Sequence, residues 1–475
     1  MATQKGRSTR SAAARRATKA QPLAVIILAA GAGKRMKSAL PKVLQPLAGK
    51  PLLQHVLDAA RTLNPAAIHV VYGHGAEAVR AAFAHQPVSW VLQSKQLGTG
   101  HAVMQAAEHL SGDERVLILY GDVPLITTAT LQGLLHAAGR DDVGLLTVNA
   151  TDPTGYGRVL RNSKGRVQSI VEEQDANARQ RRVRECNTGV MTLPASRLTK
   201  WLTRLDNRNS QGEYYLTDVI ALAVHERVAV QPLIAPDEQE VQGVNDRVQL
   251  AAAESAWRAR QARRLMLDGA TLIDPARVDV RGVVSVGEDV VIDVNVVLEG
   301  DVKLGDGVRV GPNCLIRNAQ IDAGTEVFSN CVIDRAFIGP GCRIGPFARL
   351  RPESVLAADV HIGNFVEVKK ARIGAGSKAN HLAYLGDANI GAGVNVGAGT
   401  VTCNYDGANK SLTTIEDGVF IGSGSMLVAP VHIGAGATIG AGSTISRSAP
   451  AGELTIARAR QVSVPDWQRP KKRES

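Results

Sequence analysis

A glycine-containing loop near the start of the chain combines small residues with basic ones. Gly31 and Gly33 directly follow the apolar run Ala24–Ala30, and Arg35 and Lys42 come shortly after. Glycines placed after a strand let backbone N–H groups approach phosphate oxygens, while the two cations can neutralise a polyphosphate. The spacing matches neither the P-loop pattern nor the GxGxxG dinucleotide pattern. We therefore expect a phosphate-binding loop of another kind, with an ordinary tight turn as the alternative.

A carboxylate stands at the end of another apolar run. Asp122 follows Tyr120 and Gly121, which close the run that begins at Arg115. Open α/β sheets bind ligands outside the carboxyl ends of their strands, and a carboxylate there can hold a divalent metal ion. The alternative for Asp122 is an exposed residue that makes a turn.

The second half of the chain holds a cluster of polar residues between positions 347 and 405. Arg351 and Lys369 are suited to a sugar phosphate, and His381 with Tyr384 is suited to taking a proton from an amine. A phosphate-binding pair beside a base fits an amino-sugar phosphate as substrate. The alternative for His381 alone is a surface or capping histidine. Glu367 is a candidate to orient the imidazole of His381.

The elements that must position the first group of residues are alternating strands and helices. Residues 22–230 contain short apolar runs rich in Val, Ile and Leu, separated by stretches of helical character. This alternation predicts an α/β domain with a mostly parallel, doubly wound sheet. The predicted strands are Ala24–Ala30, Ile68–Tyr72, Arg115–Tyr120 and Val143–Val148, and the clearest helices are Leu52–Leu63 and Gly100–Leu110.

The second group lies in a region of different pattern. From about residue 270, an aliphatic residue followed by glycine recurs at steps at or near multiples of six, as at Ile338, Ile344 and Ile362. The aliphatic side chain points inward and the small residue lets the backbone turn, so three such faces form one coil of about 18 residues. Residues 270–455 are expected to form about ten stacked coils. Helices are excluded, because each glycine costs a helix about 1 kcal/mol.

A single amphipathic helix is predicted between the two patterns, over residues 246–268. Its apolar stripe contains Ala253 and Leu265, and Asp246 and Gly269 are suited to cap its two ends. We interpret it as the connector of two domains, which the length of 475 residues also favours.

Charge and cysteine content restrict the class of protein. The net charge is +11, but six basic residues and no acidic ones lie in residues 1–20, and six more basic residues lie in residues 458–475. The basicity therefore belongs to the two tails, which argues against a nucleic-acid-binding face. The five cysteines are widely spaced without metal-ligand spacing, which fits a reducing cytoplasm.

The basic start followed by apolar residues imitates a signal peptide or a transit peptide. The apolar run is short, however, and the glycine loop follows at once, so we interpret it as a buried strand. No run reaches the roughly 18 apolar residues that a transmembrane helix needs.

Several segments together resemble the signature of sugar-1-phosphate nucleotidyltransferases. They are Leu28–Met36 with Pro41-Lys42, Gln93–His101, Leu119–Pro124, Pro153–Arg158, Ile170–Glu172, Asn187–Gly189 and Gln211–Asp218. With the repeats, the resemblance covers nearly all of residues 22–470. The chain is thereby identified as a member of the bacterial family of bifunctional UDP-N-acetylglucosamine pyrophosphorylase/glucosamine-1-phosphate N-acetyltransferases.

The resemblance implies the domain organisation. It assigns a basic disordered tail to residues 1–21, a Rossmann-like nucleotidyltransferase (uridylyltransferase) domain to 22–246, and a linker helix to 247–269. Residues 270–475 would be a left-handed parallel β-helix acetyltransferase domain that ends in a basic tail. The implied function is acetyl transfer from acetyl-CoA to glucosamine-1-phosphate, then uridylyl transfer from UTP to N-acetylglucosamine-1-phosphate with release of pyrophosphate. A cytoplasmic homotrimer using Mg²⁺, without nucleic-acid partners, is expected.

The resemblance also implies the residues of the nucleotide site. Gln93 and the Gly98-Thr99 loop would read uracil, Asp122 and Asn245 would hold Mg²⁺, and Gly157, Glu172 and Asn187 would hold the N-acetylglucosamine moiety. The full set implied to bind UTP or UDP-N-acetylglucosamine is Leu28, Ala29, Gly31, Arg35, Lys42, Gln93, Gly98, Thr99, Tyr120, Gly121, Asp122, Gly157, Glu172, Asn187 and Asn245.

In the β-helix, the resemblance implies that His381 is the base that deprotonates the glucosamine nitrogen. The implied ligands of glucosamine-1-phosphate are Arg351, Lys369, Tyr384 and Asn395. The residues implied to contact acetyl-CoA are Ala398, Asn404, Tyr405, Ser423, Ala441 and Arg458.

Two positions depart from the family pattern, and two alternatives stay open. Lys34 stands where threonine is common, and Gln242 stands where glutamate is common. One alternative is a glucose-1-phosphate adenylyltransferase with a regulatory β-helix, against which Lys378–Tyr384 and Asn404-Tyr405 argue. The other is a non-catalytic binding subunit, as among translation exchange factors. Retention of Arg35, Lys42, Asp122 and Asn245 together argues against it.

Overall fold

The computed structural model describes residues 21–31, 33–470 and 472, so the predicted tail at residues 1–21 lies, except for Gln21, outside the described residues. The described chain divides into two compact units between Ala253 and Glu254. The search of the described helices finds none that is both long enough and apolar enough to cross a membrane.

The first unit is an α/β domain. Its strands are β1 (Leu23–Ala29), β2 (Pro46–Leu47), β3 (Lys50–Pro51), β4 (Ala67–Tyr72), β5 (Ser89–Leu92), β6 (Arg115–Tyr120), β7 (Val143–Asn149), β8 (Arg158–Arg161), β9 (Val167–Val171), β10 (Glu185–Pro194) and β11 (Val230–Ile234). Its helices are α1 (Leu52–Arg61), α2 (Ala76–Ala82), α3 (Thr99–Ala107), α4 (Thr128–Ala137), α5 (Ala195–Leu202) and α6 (Asp218–His225). Each predicted strand and helix is present, with its ends shifted by three residues at most.

One mixed sheet organises this unit, in the order β11-β7-β10-β6-β1-β4-β5. Neighbours are parallel, except that β10 runs antiparallel to both β6 and β7. The predicted mostly parallel sheet is confirmed, whereas the antiparallel β10 and the β8–β9 hairpin beside it were not predicted. Ile26 and Ile27 of β1 are fully buried in separate apolar clusters on the two faces of the sheet, which explains the continuous apolar run.

A long helix, α7 (Arg247–Leu267), occupies the predicted connector, and the division between the units falls inside it. The Asp246 carboxylate accepts a hydrogen bond from the backbone N–H of Gln249 at 2.9 Å, so it caps the start of α7. Gly269 adopts φ +110° at the other end, and the N–H of Ala270 donates to the carbonyl of Leu265. Both predicted caps are confirmed.

The second unit is a parallel β-helix, as the repeat predicts. One column of eleven short strands contains Thr271–Leu272, Val291–Ile292, Arg309–Val310, Glu326–Val327, Arg343–Ile344, His361–Asn364, Lys378–His381, Asn395–Val396, Phe420–Ile421, Thr438–Ile439 and Leu454–Thr455. A fifteen-stranded sheet contains Val278–Val286, Val296–Leu304, Leu315–Arg317, Gln320–Ile321, Val332–Asp334, Phe337–Ile338, Arg349–Leu350, Val355–Leu356, Glu367–Ile373, Tyr384–Ile390, Val401–Cys403, Thr413–Ile415, Met426–Val428, Val431–Ile433 and Thr444–Ile445. The eleven-strand column agrees with the estimate of about ten coils.

Each coil turns through a corner at which the backbone has positive φ. We call this recurring position the left-handed corner; it comprises Asn295, Asn313, Asn330, Phe347, Phe365, Leu382, Gly399, Gly424 and Gly442. Asparagine and glycine tolerate this conformation, whereas phenylalanine and leucine are strained in it. The residue type at this corner is therefore different in three successive coils, the last of which carries His381 directly before Leu382.

The interior of the β-helix is filled by side chains that stack from coil to coil. Ile333 is fully buried and lies in register between Ile316 and Leu350, whereas its neighbour Val332 points outward and is 37% exposed. Cys314, Cys331 and Cys342 are buried as small apolar residues, and all five cysteines are free.

This alternation predicts different costs for two adjacent truncations. Ile333→Ala should lower the free energy of unfolding by about 2–5 kcal/mol, because it leaves a cavity that the stacked coils cannot fill. Val332→Ala should change it by less than about 1 kcal/mol, because the side chain is already partly in water. Urea denaturation of both variants measures the difference, and equal losses would contradict the assigned facing of this strand.

Candidate active sites

A cleft of about 920 Å³ opens where β1 and β6 end. The carboxyl ends of parallel strands meet at this edge, so the loops that follow them converge there. Nine residues of the predicted nucleotide site line the cleft: Leu28, Ala29, Gly31, Lys42, Gln93, Gly98, Thr99, Tyr120 and Asp122. Arg35, Gly121, Gly157, Glu172, Asn187 and Asn245 are not among its lining residues. Lys37, Ser38, His74, Gln96 and Glu213 also line it and were not predicted, although Gln96 and Glu213 lie inside the segments that carry the resemblance. Lys34, which departs from the family pattern in the glycine loop, lines the cleft as well.

The glycine loop is built so that its backbone comes close to Lys42. Gly33 has φ +59°, and a Cβ added to it would lie 2.7 Å from the Cβ of Lys42. Glycine is therefore required here on both conformational and steric grounds. A Cβ at Gly31 would meet nothing within 4 Å, so this part of the loop borders open space in the cleft. Arg35 lies in a short 3₁₀ turn, Lys34–Met36, and its side chain is exposed.

A lysine joins the two residues that the resemblance assigns to a metal ion. The ammonium of Lys42 forms an ion pair with the Asp122 carboxylate and donates to Oδ1 of Asn245 at 3.0 Å. The side chains of Lys42 and Asp122 are only 11% and 17% exposed. Asp122 and Asn245 are 123 positions apart in sequence, yet a single cation bridges their oxygens.

The loop after β5 holds a buried amide at the other end of the cleft. The Nε2 of Gln93 donates to the carbonyl of Gly98 at 3.2 Å and lies 3.1 Å from Nδ1 of His101. Gly98 has φ +105°, and a Cβ there would lie 2.6 Å from the carbonyl oxygen of Tyr214. The hydroxyl of Thr99 accepts from the N–H of Leu216 at 3.1 Å. These contacts fix the Gln93 amide in one orientation, which suits it to read a base edge.

Three further predicted residues lie together beside this cleft, next to Tyr120. The N–H of Asn187 donates to the carbonyl of Gly157 at 2.8 Å, and a Cβ on Gly157 would lie 3.1 Å from Oε2 of Glu172. The ring of Tyr120 packs against Gly189, where a Cβ would collide with it. Burial raises the pKa of Glu172, although the Thr217 hydroxyl donates to its carboxylate at 2.9 Å. Burial, with the charges of Glu172 and Asp122, raises the pKa of Tyr120 as well.

His381 is placed by the register of successive coils. It pairs with Asn364 in the neighbouring strand, and its Nδ1 lies 2.7 Å from Oδ1 of Asn364. An amide oxygen can only accept a hydrogen bond, so the neutral imidazole carries its proton on Nδ1 and leaves Nε2 unprotonated. Glu367, which was predicted to orient His381, instead pairs with Arg351 at 2.8 Å and Arg349 at 3.8 Å. That prediction was wrong, because the register brings Asn364 to the imidazole.

Charged side chains that point outward along one column of coils alternate in sign, and this alternation stops near His381. Glu299, Arg317 and Asp334 lie in register and alternate in sign, with Glu299 and Arg317 paired at 3.0 Å. Arg351 continues the alternation, but Lys369 follows it where an acid would be expected. Lys410 lies against Lys369, and this contact lowers the pKa of Lys410. Excess positive charge at this point of the column is suited to an anion such as a phosphate.

The remaining ligands predicted for the amino sugar lie near this column or on the adjacent face. The phenol of Tyr384 folds over Gly386, where a Cβ would collide with the hydroxyl, and Gly386 is in register with Lys369. Asn395 is in register with Lys378, in the strand that ends at His381.

Four of the predicted acetyl-CoA contacts form one ladder. Ala398, Ser423 and Ala441 directly precede the left-handed corner in successive coils, and the N–H groups of Gly424 and Gly442 donate to Ala398 and Ser423. Arg458 donates to the carbonyl of Ala441 at 2.7 Å. The other two contacts lie in a loop extruded from the stack: Asn404 is buried and bonded to Asp387, and Tyr405 is exposed.

Comparisons with known proteins agree with both halves of this description. Residues 25–190 match the MobA-like NTP transferase domain, residues 280–382 match the GMPPB C-terminal domain, and residues 412–447 match bacterial transferase hexapeptide repeats. Fold and site thus define a nucleotidyltransferase joined to a hexapeptide-repeat transferase.

Three relatives are each named Bifunctional protein GlmU. Those of Alkalilimnicola ehrlichii and Stenotrophomonas maltophilia are both 58% identical, over 453 and 454 residues, and that of Ralstonia pickettii is 56% identical over 450. Each alignment covers 95% of this chain and 98–99% of the relative. The chain belongs to this family. It is a bifunctional enzyme that acetylates glucosamine-1-phosphate from acetyl-CoA and then transfers a uridylyl group from UTP to N-acetylglucosamine-1-phosphate.

The hydrogen bond at His381 predicts its tautomer. In wild-type protein Nδ1 should carry the proton, and Asn364→Leu should abolish this preference, because leucine cannot accept a hydrogen bond. The ¹⁵N chemical shifts of ¹⁵N-histidine-labelled protein report the tautomer, with His381→Ala assigning the signal. Asn389→Leu, a change at an exposed asparagine further along the stack, is the control and should leave the shifts unaltered. An unchanged tautomer in Asn364→Leu would refute the role given to Asn364.

Proposed function

We propose that each of the two reactions has its own site in its own unit: uridylyl transfer in residues 22–246 and acetyl transfer in the β-helix of residues 270–475. The observation that carries this proposal is the separation of the charged groups. The Lys42, Asp122 and Asn245 cluster lies in the first unit, while Asn364, His381 and the cationic column lie in the second. The acetylated sugar phosphate made in the second unit is the substrate of the first.

In the uridylyl site, the phosphate of N-acetylglucosamine-1-phosphate attacks the α-phosphorus of UTP in line, and pyrophosphate leaves. No covalent intermediate with the protein is needed, so the residues position the partners and neutralise charge. The backbone around Gly31, with Arg35 and Lys42, binds the phosphates. Leu28 and Ala29 form the floor of the site, and Gly121 packs behind them with its N–H bonded to the carbonyl of Leu28. Gln93 and the Gly98-Thr99 turn bind uracil.

Mg²⁺ is the metal that this site would use, held by Asp122 and Asn245. The donor set fits, because a carboxylate oxygen and an amide oxygen are ligands for a hard divalent cation, and both already bind one ammonium ion. Bound there, the metal would supply charge neutralisation on the phosphates. Gln242, which replaces the usual glutamate, lies three residues before Asn245 and is neutral, so it adds no carboxylate to this donor set.

The sugar of the second substrate would bind beside Tyr120, against Gly157, Glu172 and Asn187. The buried Glu172 carboxylate, fixed by Thr217, suits a hydroxyl or an amide N–H of N-acetylglucosamine. The absence of a side chain at Gly157 leaves room for the ring next to this carboxylate.

In the acetyl site, His381 is the general base. Its Nε2 removes a proton from the amine of glucosamine-1-phosphate, the nitrogen attacks the thioester carbon, and the C–S bond breaks to release coenzyme A. Arg351 and Lys369 bind the sugar phosphate, while Tyr384 and Asn395 orient the ring. Ala398, Ser423 and Ala441 present small side chains and open backbone to acetyl-CoA. Asn404, Tyr405 and Arg458 complete the binding surface.

We also propose that the protein is a homotrimer and that it works in the cytoplasm. The trimer is supported by Phe347, Phe365 and Leu382, which are 49%, 55% and 62% exposed at strained positions of the left-handed corner. The rings of Phe347 and Phe365 stack at 5.2 Å. Exposed apolar side chains held in a costly conformation beside His381 suit a contact with another copy. The five free cysteines support a reducing compartment.

Two single substitutions test the separation of the sites. His381→Ala should reduce acetyl transfer by about 10²–10⁴-fold, the usual contribution of general base catalysis, and should leave uridylyl transfer within about twofold. Asp122→Ala should do the reverse. Free thiol is followed with glucosamine-1-phosphate and acetyl-CoA, and pyrophosphate with UTP, Mg²⁺ and N-acetylglucosamine-1-phosphate. Equal loss of both activities in either variant would contradict two separate sites.

The trimer is tested by replacing the apolar corner with the asparagine that earlier coils use there. The double variant Phe347→Asn/Phe365→Asn keeps a residue that tolerates positive φ, so the β-helix should still fold. Light scattering should show a trimer for the wild type and a lower mass for the variant. Phe337→Asn, at an exposed strand position away from the corner, is the control and should remain trimeric. A trimeric double variant would remove the corner from the interface.

A further inference from the structure

The ammonium of Lys42 occupies the position between the two oxygens assigned to the metal ion. It bonds both Asp122 and Asn245, and its side chain is more deeply buried than that of Asp122. The loop fixes where Lys42 starts, because its Cβ fills the space left by the missing side chain of Gly33. The cation that neutralises Asp122 in the absence of nucleotide is therefore part of the chain.

The protein's own ligands for a free divalent ion are few. Among the described residues, Asp122 supplies a carboxylate oxygen to Lys42, and Asn245 supplies a neutral oxygen. Within the described residues, no group of three or more histidine, cysteine, aspartate or glutamate side chains could hold a metal. A metal ion entering alone would have to break both bonds of Lys42. It would also leave an ammonium ion beside a divalent cation in a partly buried cleft, where like charges repel strongly.

We propose that Lys42 closes the metal position of the empty enzyme and that nucleotide binding opens it. The phosphates of UTP offer Lys42 a stronger anionic partner than one carboxylate, so the ammonium transfers to them and frees the oxygens of Asp122 and Asn245. The metal then binds together with the nucleotide, not before it. This inference rests on the proposed metal site and adds to it the order in which the metal and the nucleotide bind.

The consequence for the apoenzyme is measurable without turnover. Mn²⁺ alone, added to full-length protein without nucleotide, serves as the probe, and the electron paramagnetic resonance signal of free Mn²⁺ reports binding. Wild-type protein should bind Mn²⁺ weakly. Lys42→Met, which keeps most of the length of the side chain and removes its charge, should bind one Mn²⁺ per chain with an affinity higher by about tenfold or more.

Two further variants make the result specific. Lys37→Met removes another cation that lines the same cleft, and it should bind Mn²⁺ as weakly as the wild type. The double variant Lys42→Met/Asp122→Asn should lose the affinity gained by Lys42→Met. Acetyl transfer by the β-helix, which uses neither residue, verifies that each variant is folded.

Each outcome decides a different point. Equal Mn²⁺ affinity of the wild type and Lys42→Met would overturn the closing role of Lys42. A gain in Lys42→Met that survives Asp122→Asn would also overturn it, because the new site would not be the one that Lys42 covers. The metal site itself is judged separately, by the loss of uridylyl transfer in Asp122→Ala.

Discussion

The register of backbone hydrogen bonds between successive coils is the constraint on which the acetyl half depends. Each short strand pairs in parallel with the next, so a side chain that points outward always has the same neighbour one coil away. This register places Asn364 against His381 and sets Lys369 after Arg351. The site therefore arises where the residue types change locally while the register of the coils stays the same. In the first unit, parallel strands also bring distant residues together: the strands end at one edge of the sheet, and the loops that follow them converge there.

Most of the fold could be predicted, because its patterns are local. A strand buried on both faces requires an apolar run such as that of β1. The tight corners of the coils require small residues, which explains the recurring glycine. The antiparallel β10 and the β8–β9 hairpin were not predicted, since their pairing depends on partners far away in sequence. Resemblance assigned the site residues, but not their mutual contacts. The contact of Lys42 with Asn245 required coordinates, because a separation of 203 residues in sequence carries no signal. Asn364 and His381 are 17 residues apart, close to the predicted coil of about 18, but insertions between repeats leave the exact register to the coordinates.

The two sites illustrate different uses of charge. In the cleft of the first unit, buried groups are neutralised inside the protein, as Lys42 does for Asp122, and burial raises the pKa of Glu172 and Tyr120. On the β-helix, the cationic groups lie on the surface, in a column of side chains whose charges alternate in sign except where Lys369 follows Arg351. A cleft can surround a nucleotide and remove water from its contacts, whereas a row of side chains on the outer surface of the β-helix contacts a ligand from one side. This difference is the reason for proposing a second copy of the chain as the neighbouring surface of the second site.

The stack of coils also has two unlike ends. At the first end, Ala262 and Leu265 of α7 join the same buried cluster as the opening strands, so the interior is covered. At the last end, the column finishes with Leu454–Thr455, and the described residues beyond it, 456–470 and 472, are exposed and form no helix or strand. In a quasi-one-dimensional array, opening begins at the uncovered terminus and propagates inward. Ala441 and Arg458 lie in these terminal coils, whereas His381 lies several coils further in. Fraying at this end would thus disturb the proposed acetyl-CoA surface before it reached His381, and bound acetyl-CoA would hold these terminal coils together.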